Sequence, residues 1–465
     1  MNKLKLKLFM SKKEPGSLSL CQKLGYAVGD LGANFCWTFV ASFLLYYCQG
    51  TLGLSAGVLG TLIAISKVID GITDVFMGQV IDRTRSKMGK ARFWLFVSTF
   101  PLAFCTFFIF NIPASFSENT KYLVILILYT FLGAVFYTMN NIAYSTLMAL
   151  CTKNPKDRVQ MGSFRYIFAI VAGILIQYIT VNLVNTFGGG QAGWRMVALI
   201  YSILCFVILM IPVLSVRELP EDELDNTKQD SHIDAKLGFI KTLKLLVTNK
   251  YFLLIFCYYL FMYLLSFISS SLTVYFCTVV LNNSTAMGSI ALVSYIPTVV
   301  VLTFVASITK KFGIRKAATY GHFIALLGGA ICFAGGMFSN NALMFILIGL
   351  FLRGVGMAPM SGSINALIAA ASDYSELTTG HRVAGAFFAC SSVGIKVGTG
   401  LGTAVSGFII DAAVRAATAI PGADIPIFKW GYLLPILLFP IMTLLVLSGM
   451  DVEKKTDELR LQKGE

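Results

Sequence analysis

Twelve apolar segments of about bilayer-spanning length run through the chain, near residues 25–48, 55–79, 93–113, 121–149, 163–186, 194–216, 250–281, 285–308, 317–338, 341–371, 383–411 and 428–449. A helix needs about 20 apolar residues to cross the hydrocarbon core. Only 13% of the 465 residues are charged, against roughly 25% in soluble domains. So few charges cannot clothe a chain of this length in water, and the pattern implies an all-α membrane protein of twelve transmembrane helices in two six-helix bundles.

The 37 Lys+Arg outnumber the 23 Asp+Glu, giving a formal charge of +14. With the N-terminus inside, Lys121, Arg195, Arg415 and Lys429 alone fall on the outer loops, and Lys67, Arg165, Arg353 and Lys396 fall within spans. This asymmetry predicts a multi-pass protein of the cell (inner) membrane with both termini cytoplasmic. It also argues against nucleic acid as a partner, because the positive charge is dispersed over short loops. The opening "MNKLKLKLFMSKKEPGSLSL" is too broken for a secretory signal and reads as a cytoplasmic tail on anionic lipid. The ten cysteines form no C-x-x-C pair, so small apolar packing is their expected role.

The one long polar interruption, about 217–249, separates the sixth span from the seventh. The expected organisation is an N-terminal bundle with its tail (1–216), a cytoplasmic linker (217–249), a C-terminal bundle (250–450) and a cytoplasmic tail (451–465). "DRTRSKMGKAR" after span two and "KKFGIRK" after span eight are similar basic turns, as in transporters built from parallel six-helix repeats. In "GIKVGTGLGTAVSG", Gly394, Gly398, Gly402 and, after a shift, Gly407 predict one closely packed helix face.

The stretch "SKVIDGITD" places Lys67, Asp70 and Asp74 at i, i+3 and i+7, on one face of the second span. Each such charge costs about 2.5–3.5 kcal/mol at a span centre, so the trio marks a pathway or a wet cavity. Two carboxylates against one lysine leave a net negative charge, which a monovalent cation site needs. Thr73 and Thr138 would add hydroxyl oxygens. A raised carboxylate affinity for protons is the alternative, and a structural ion pair with Lys67 is the bland one. Asp30 and Asn34 lie one turn apart in span one, and Tyr137, Thr138, Asn141 and Tyr144 cluster in span four. Asp and Asn suit sugar hydroxyls by their short, directed hydrogen bonds; the alternative for each asparagine is interhelical bonding. Arg165 and Lys396 would meet an anionic substrate or neutralise the cation site when it is empty, and Arg165 lies near enough to a membrane end to snorkel. Arg353 is deep in span ten with ligand and helix-pairing roles both open, and His322 reads as a packing residue. No H-E-x-x-H and no nucleophile elbow is present, so an enzyme is not expected.

Several stretches carry a resemblance: "GYAVGDLGANF", "GLSAGVLGTL", "KVIDGITDVFMGQVIDRTRSKMGKAR", "NNIAYSTLM" and "SDYSELTTGHRVAG…GIKVGTGLG". Together, in order and over nearly the whole chain, they resemble the glycoside–pentoside–hexuronide:cation symporters of the major facilitator superfamily. The resemblance implies a coupling-cation site at Asp70 and Asp74 with Thr138 beside it. It implies sugar-site positions at Asn34 and Asn141, matched basic residues at Arg165 and Lys396, and a cytoplasmic gate at Asp82 and Arg83, with Asp373 and Glu376 as acidic partners. It further implies cation-coupled symport of a sugar, glycoside, pentoside or hexuronide by alternating access, with Na⁺ as coupling ion (Li⁺ or H⁺ as alternatives), no other cofactor, and a monomer in the bilayer. Competing readings are an uncoupled facilitator, a lysolipid carrier, and a sensor with a transporter fold.

Overall fold

The computed structural model describes residues 18–152, 154–219, 247–379 and 384–463. Helices α1 (Leu20–Gly50), α3 (Lys90–Ile109), α4 (Glu118–Met148), α6 (Gly190–Ser215), α7 (Lys250–Val280) and α9 (Ile314–Phe338) are long and apolar enough to cross a bilayer. So are the apolar stretches of α5 (Pro155–Thr186), α10 (Ala342–Thr379), α11 (Ala384–Ala419) and α12 (Asp424–Ser448). Two more complete the expected twelve: α2 (Ala56–Arg83), 28 residues long with Lys67, Asp70 and Asp74 breaking its apolar character, and α8 (Ala286–Leu302), of 17 residues.

Span eight was expected to run to about residue 308. Instead the helix ends where the Thr303 hydroxyl donates back to the Val300 carbonyl at 2.7 Å, and a short helix, Val305–Phe312, follows. The tail after α12 forms a helix of its own, Val452–Lys463, whose Thr456 hydroxyl lies 3.5 Å from the Ala370 carbonyl of α10. Start signals are local and conventional. Ser19 and Gln22 close a capping box ahead of α1, Ser117 caps α4, and Asn249 caps α7 by accepting from Tyr251 and Phe252. Each satisfies backbone N–H groups that a helix start leaves open.

Packing divides the helices into two groups. In the first half α1 lies against α5 and α6, and α3 against α4 and α6. In the second, α10 packs on α8 and α9, and α12 on α7 and α9. The halves meet along α2 with α11 and α5 with α8. Small residues set the closeness of approach on α11. A Cβ on Gly398 or Gly402 would stand 2.6 and 2.5 Å from the Leu260 and Leu264 carbonyls of α7. Gly407, which the sequence assigned to the same face, instead abuts the Ala56 carbonyl of α2. The glycine pattern therefore serves two interfaces, one within the second half and one between halves.

The end of the molecule remote from Ser215 and Lys250, where α6 ends and α7 begins, is held shut by contacts between the halves. Asp411 of α11 caps the start of α2: it accepts from the Ala56 and Gly57 backbones at 2.7 and 2.9 Å and from the Ser55 hydroxyl. Beside it, Tyr275 of α7 reaches the Gln49 amide oxygen at 3.3 Å and packs edge-on against Tyr46. Ser284 donates to Asn182 at 3.1 Å. A carboxylate on a helix N-terminus stabilises by about 0.5–2 kcal/mol, and here that energy is spent across the inter-half seam. Replacing Asp411 by Ala is expected to lower the melting temperature in detergent by a few degrees. It should also speed alkylation of a cysteine placed at Gln49; unchanged labelling would contradict the assignment of Asp411 as an inter-half clasp.

Candidate functional site

α2 brings its three charges to the seam against α11. The Asp70 carboxylate accepts from Lys67 at 3.1 Å, from the Thr138 hydroxyl of α4 at 2.8 Å and from Lys396 of α11 at 3.2 Å. Lys396 also donates to the Asp70 backbone carbonyl at 2.5 Å and pairs with Asp74. One lysine of the second half thus engages both carboxylates of the first. The Asp70, Lys67 and Lys396 side chains are 10%, 7% and 15% exposed, while Asp74 is 31% exposed and is the more accessible acid. Two acids against two lysines make the cluster neutral. The net negative charge expected from the α2 sequence is therefore absent in this arrangement, because a fourth charged residue, 326 positions from Asp70, supplies the balance.

Local backbone geometry aims the hydroxyl. Residues Phe131–Tyr137 of α4 form a π-helical stretch directly before Thr138. Such widened turns rotate the following residues and recur at functional sites. Thr138 lies beyond it, buried, with its hydroxyl on Asp70. Thr73, expected as another ligand, turns its hydroxyl back onto the Asp70 backbone carbonyl at 3.1 Å, the common fate of a threonine in mid-helix. The Lys67 ammonium is 4.1 Å from the centre of the Trp37 ring and 5.7 Å from that of Tyr129, so cation–π attraction helps hold it.

A second cluster lies on the first half alone. Arg165 of α5 forks onto Asp30 of α1, with Nε–Oδ2 2.5 Å and Nη2–Oδ1 3.3 Å, a paired geometry particular to arginine. Its guanidinium stacks 4.2 Å from the Tyr144 ring. Tyr26 and Tyr144 exchange hydroxyl-to-carbonyl hydrogen bonds at 2.6 and 2.5 Å. Arg165 therefore turns inward, where the sequence also allowed a snorkelling role. Asn34 donates to the Asp30 carbonyl at 2.7 Å and accepts from Thr38 at 2.8 Å. Tyr137 stacks on Trp37 with centroids 4.6 Å apart, and Asn141 is exposed. Trp37, which the sequence analysis did not single out, touches both clusters: Lys67 on one side and Tyr137 on the other. A tryptophan within one turn of Asn34 was the available signal.

Of the expected gate residues, Arg83 and Glu376 are exposed and Asp373 is half-buried; the Asp82 side chain lies outside the described residues. The remaining two basic residues of interest lie elsewhere. Arg353 and His322 both stand against Phe439 of α12, at 5.6 and 6.1 Å.

Breaking the Asp30–Arg165 fork from one side strands a half-buried charge, which costs about 3–5 kcal/mol. Arg165→Gln is accordingly expected to lower the melting temperature in detergent sharply, and Asp30→Asn in addition to recover much of the loss. Additive losses would contradict the pairing.

Residues 25–452 match the family model described as MFS/sugar transport protein. The chain is 26% identical to the uncharacterized symporter YnaJ of Bacillus subtilis, over 94% of this chain and 91% of that protein. It is 27% identical to the isoprimeverose transporter of Lactiplantibacillus pentosus, over 87% and 82%. It is 25% identical to a putative sulfoquinovose importer of Escherichia coli, over 80% and 77%. Among solved structures, the fold is shared with a D-xylose-proton symporter, at a TM-score of 0.61 and 13% identity over 91% of this chain and 96% of that one. It is also shared with a bacterial homolog of the human lysosomal transporter Spinster, at 0.64 and 14% over 94% and 96%. The chain belongs to the glycoside–pentoside–hexuronide symporter family of the major facilitator superfamily: a membrane transporter for sugars or glycosides rather than an enzyme.

Proposed function

We propose that the protein couples movement of its sugar to a monovalent cation that exchanges with Lys396 at Asp70 and Asp74. The observation that carries this reading is the Lys396 ammonium itself, seated on both carboxylates. It occupies the position of a small cation among oxygen atoms, with the Thr138 hydroxyl alongside. Oxygen ligands of this kind suit Na⁺ or Li⁺, and a proton on Asp74 would release the lysine equally well. In the cation-free carrier Lys396 neutralises the acids and ties α11 to α2. When the cation arrives, the lysine is set free and the tie between halves loosens.

The sugar would lie beside Asn34 and Asn141, with the Asp30–Arg165 fork supplying further donors and acceptors, and Tyr137 on Trp37 offering an aromatic face. Trp37 also contacts Lys67, so sugar and cation share one wall. Reciprocal favouring of each ligand by the other follows when both prefer the same arrangement of the halves. With both termini in the cytoplasm, the end clasped by Asp411 is the outer gate, and Arg83, Asp82, Asp373 and Glu376 belong to the inner one. The isoprimeverose transporter among the similar proteins supports a sugar or glycoside as the cargo.

Asp70→Asn and Asp74→Asn are each expected to lower cation-stimulated sugar uptake in right-side-out vesicles, at matched expression. The loss should be at least about tenfold, the factor carried by 1.4 kcal/mol. Wild-type dependence on Na⁺, Li⁺ and pH gradients in either variant would overturn the cation assignment. Uptake indifferent to every gradient in the wild type would make the protein a facilitator.

A further inference from the structure

Where α2 and α6 end and α3 begins, an open cavity of about 980 Å³ is walled by the turn 84–90, Arg92, Leu150 and residues 217–219. Five basic side chains line it, Arg85, Lys87, Lys90, Arg92 and Arg217, against one acid, Glu218. Glu218 is already engaged. Its carboxylate accepts from the Lys90, Ala91 and Arg92 backbones at 2.8, 2.9 and 2.8 Å, which caps the start of α3. Arg92 is engaged too, donating to the Val213 carbonyl through Nε and Nη2 at 3.0 and 2.7 Å. The second half repeats this construction: Glu453 accepts from the Arg315 backbone at 3.1 Å, and Arg315 donates to the Leu447 and Ser448 carbonyls at 3.2 and 2.7 Å. Carboxylate and arginine are thus joinery common to both halves. What they leave over in the cavity is the positive charge of Arg85, Lys87 and Arg217, all exposed.

The cavity lies at the level of lipid headgroups, since it sits at the ends of three of the twelve spans. Trp94, in the second turn of α3, donates its indole N–H to the Thr84 hydroxyl on the cavity wall at 2.7 Å, and tryptophan favours this depth of a bilayer. Toward the membrane centre from Thr84, Val80 and Phe76 follow at one-turn spacing on α2, 41% and 64% exposed. Leu214, three residues before Arg217, is 77% exposed. An apolar stripe therefore leads from the hydrocarbon to a basic cavity. A small soluble anion would use only the charge, whereas a ligand with acyl chains uses both.

We infer that this cavity binds the headgroup of an anionic phospholipid, its phosphodiester held by Arg85, Lys87 and Arg217 and an acyl chain lying along Val80 and Phe76. A guanidinium fork matches two phosphate oxygens, and Lys87 adds a point charge. A zwitterionic headgroup carries its own cation, which the same side chains repel. With the termini in the cytoplasm, the lipid belongs to the inner leaflet. It joins the α2–α3 turn to the segment after α6, and so fixes the inner rim of the first half to the bilayer beside Asp82 and Arg83. The site is separate from the sugar and cation positions and stands whatever sugar is carried.

The test is tryptophan quenching in vesicles of equal parts phosphatidylglycerol and phosphatidylcholine holding the purified full chain, with one lipid or the other brominated near the headgroup end of its acyl chains. Trp94 is the reporter at the cavity wall. Brominated phosphatidylglycerol is expected to be preferred at least about fivefold, the factor one basic side chain contributes at an anionic membrane surface. Trp94→Phe should remove that headgroup-dependent part of the quenching. Replacing Arg85, Lys87 and Arg217 together by Gln should make the two lipids quench alike. Where that variant does not fold, about 1 M NaCl should abolish the preference in wild type by screening. Equal quenching by both lipids in wild type overturns the site, as does a preference that survives the triple substitution, the high salt or the loss of Trp94. Abolition of the preference by millimolar inorganic phosphate assigns the cavity to a free anion instead. A preference that appears only after Glu221, Asp222, Glu223 and Asp225 are replaced by their amides assigns it to the chain's own acidic run, and likewise overturns the lipid.

Discussion

The ion pair between Lys396 and the two α2 carboxylates is the contact on which the rest of this structure turns. It is the one place in the described interior where opposite charges from the two halves meet. Elsewhere the seam is made of glycine-to-backbone approaches such as Gly60 against the Thr403 carbonyl, and of the Asp411 clasp at one end. Close packing of small residues favours contact at any relative position along the groove. A salt bridge does not, because it is strong in one geometry and lost in others. It therefore gives the seam a preferred state whose stability depends on what occupies the carboxylates.

The same contact explains why the chain tolerates charges in a bilayer at all. Each would cost about 2.5–3.5 kcal/mol alone. Asp70 recovers much of this through Lys67, Lys396 and Thr138, Arg165 through Asp30, and Lys67 through the rings of Trp37 and Tyr129. Pairing makes the charges affordable, and pairing across a movable seam makes them useful. A pair confined to one half, such as Asp30–Arg165, stays with that half if the seam opens. A pair that spans the halves is broken by the same movement, and it is the pair that the proposed function exchanges for a cation.

Much of the architecture was legible in hydropathy and charge, since the bilayer demands a long apolar helix at each crossing. The exceptions have physical causes. α2 is hard to recognise by apolar content because it carries the very charges that matter, and α8 stops early where Thr303 bonds back on Val300. Helical spacing placed Lys67 and Asp70 together, and they do pair. It did not reveal that Asp74 faces Lys396, because pairing across 322 or 326 residues is a property of how the halves dock and not of local periodicity. The Asp411 clasp was hidden for the same reason. The turn of Thr73 onto its own helix is instead local, a hydroxyl satisfied three residues back, and the π-helical widening before Thr138 leaves no mark on the apolar pattern. The membership of the chain in a sugar-symporter family, by contrast, was carried by contiguous motifs and needed no tertiary information.

The most direct measurement of the exchange at the centre of this account is difference infrared spectroscopy of the purified protein as Na⁺, Li⁺ or proton concentration is raised without sugar. Displacement of Lys396 by a cation should alter the carboxylate stretching bands, and that change should vanish when Asp70 and Asp74 are both replaced by asparagine. An identical difference spectrum in the doubly substituted protein would contradict it.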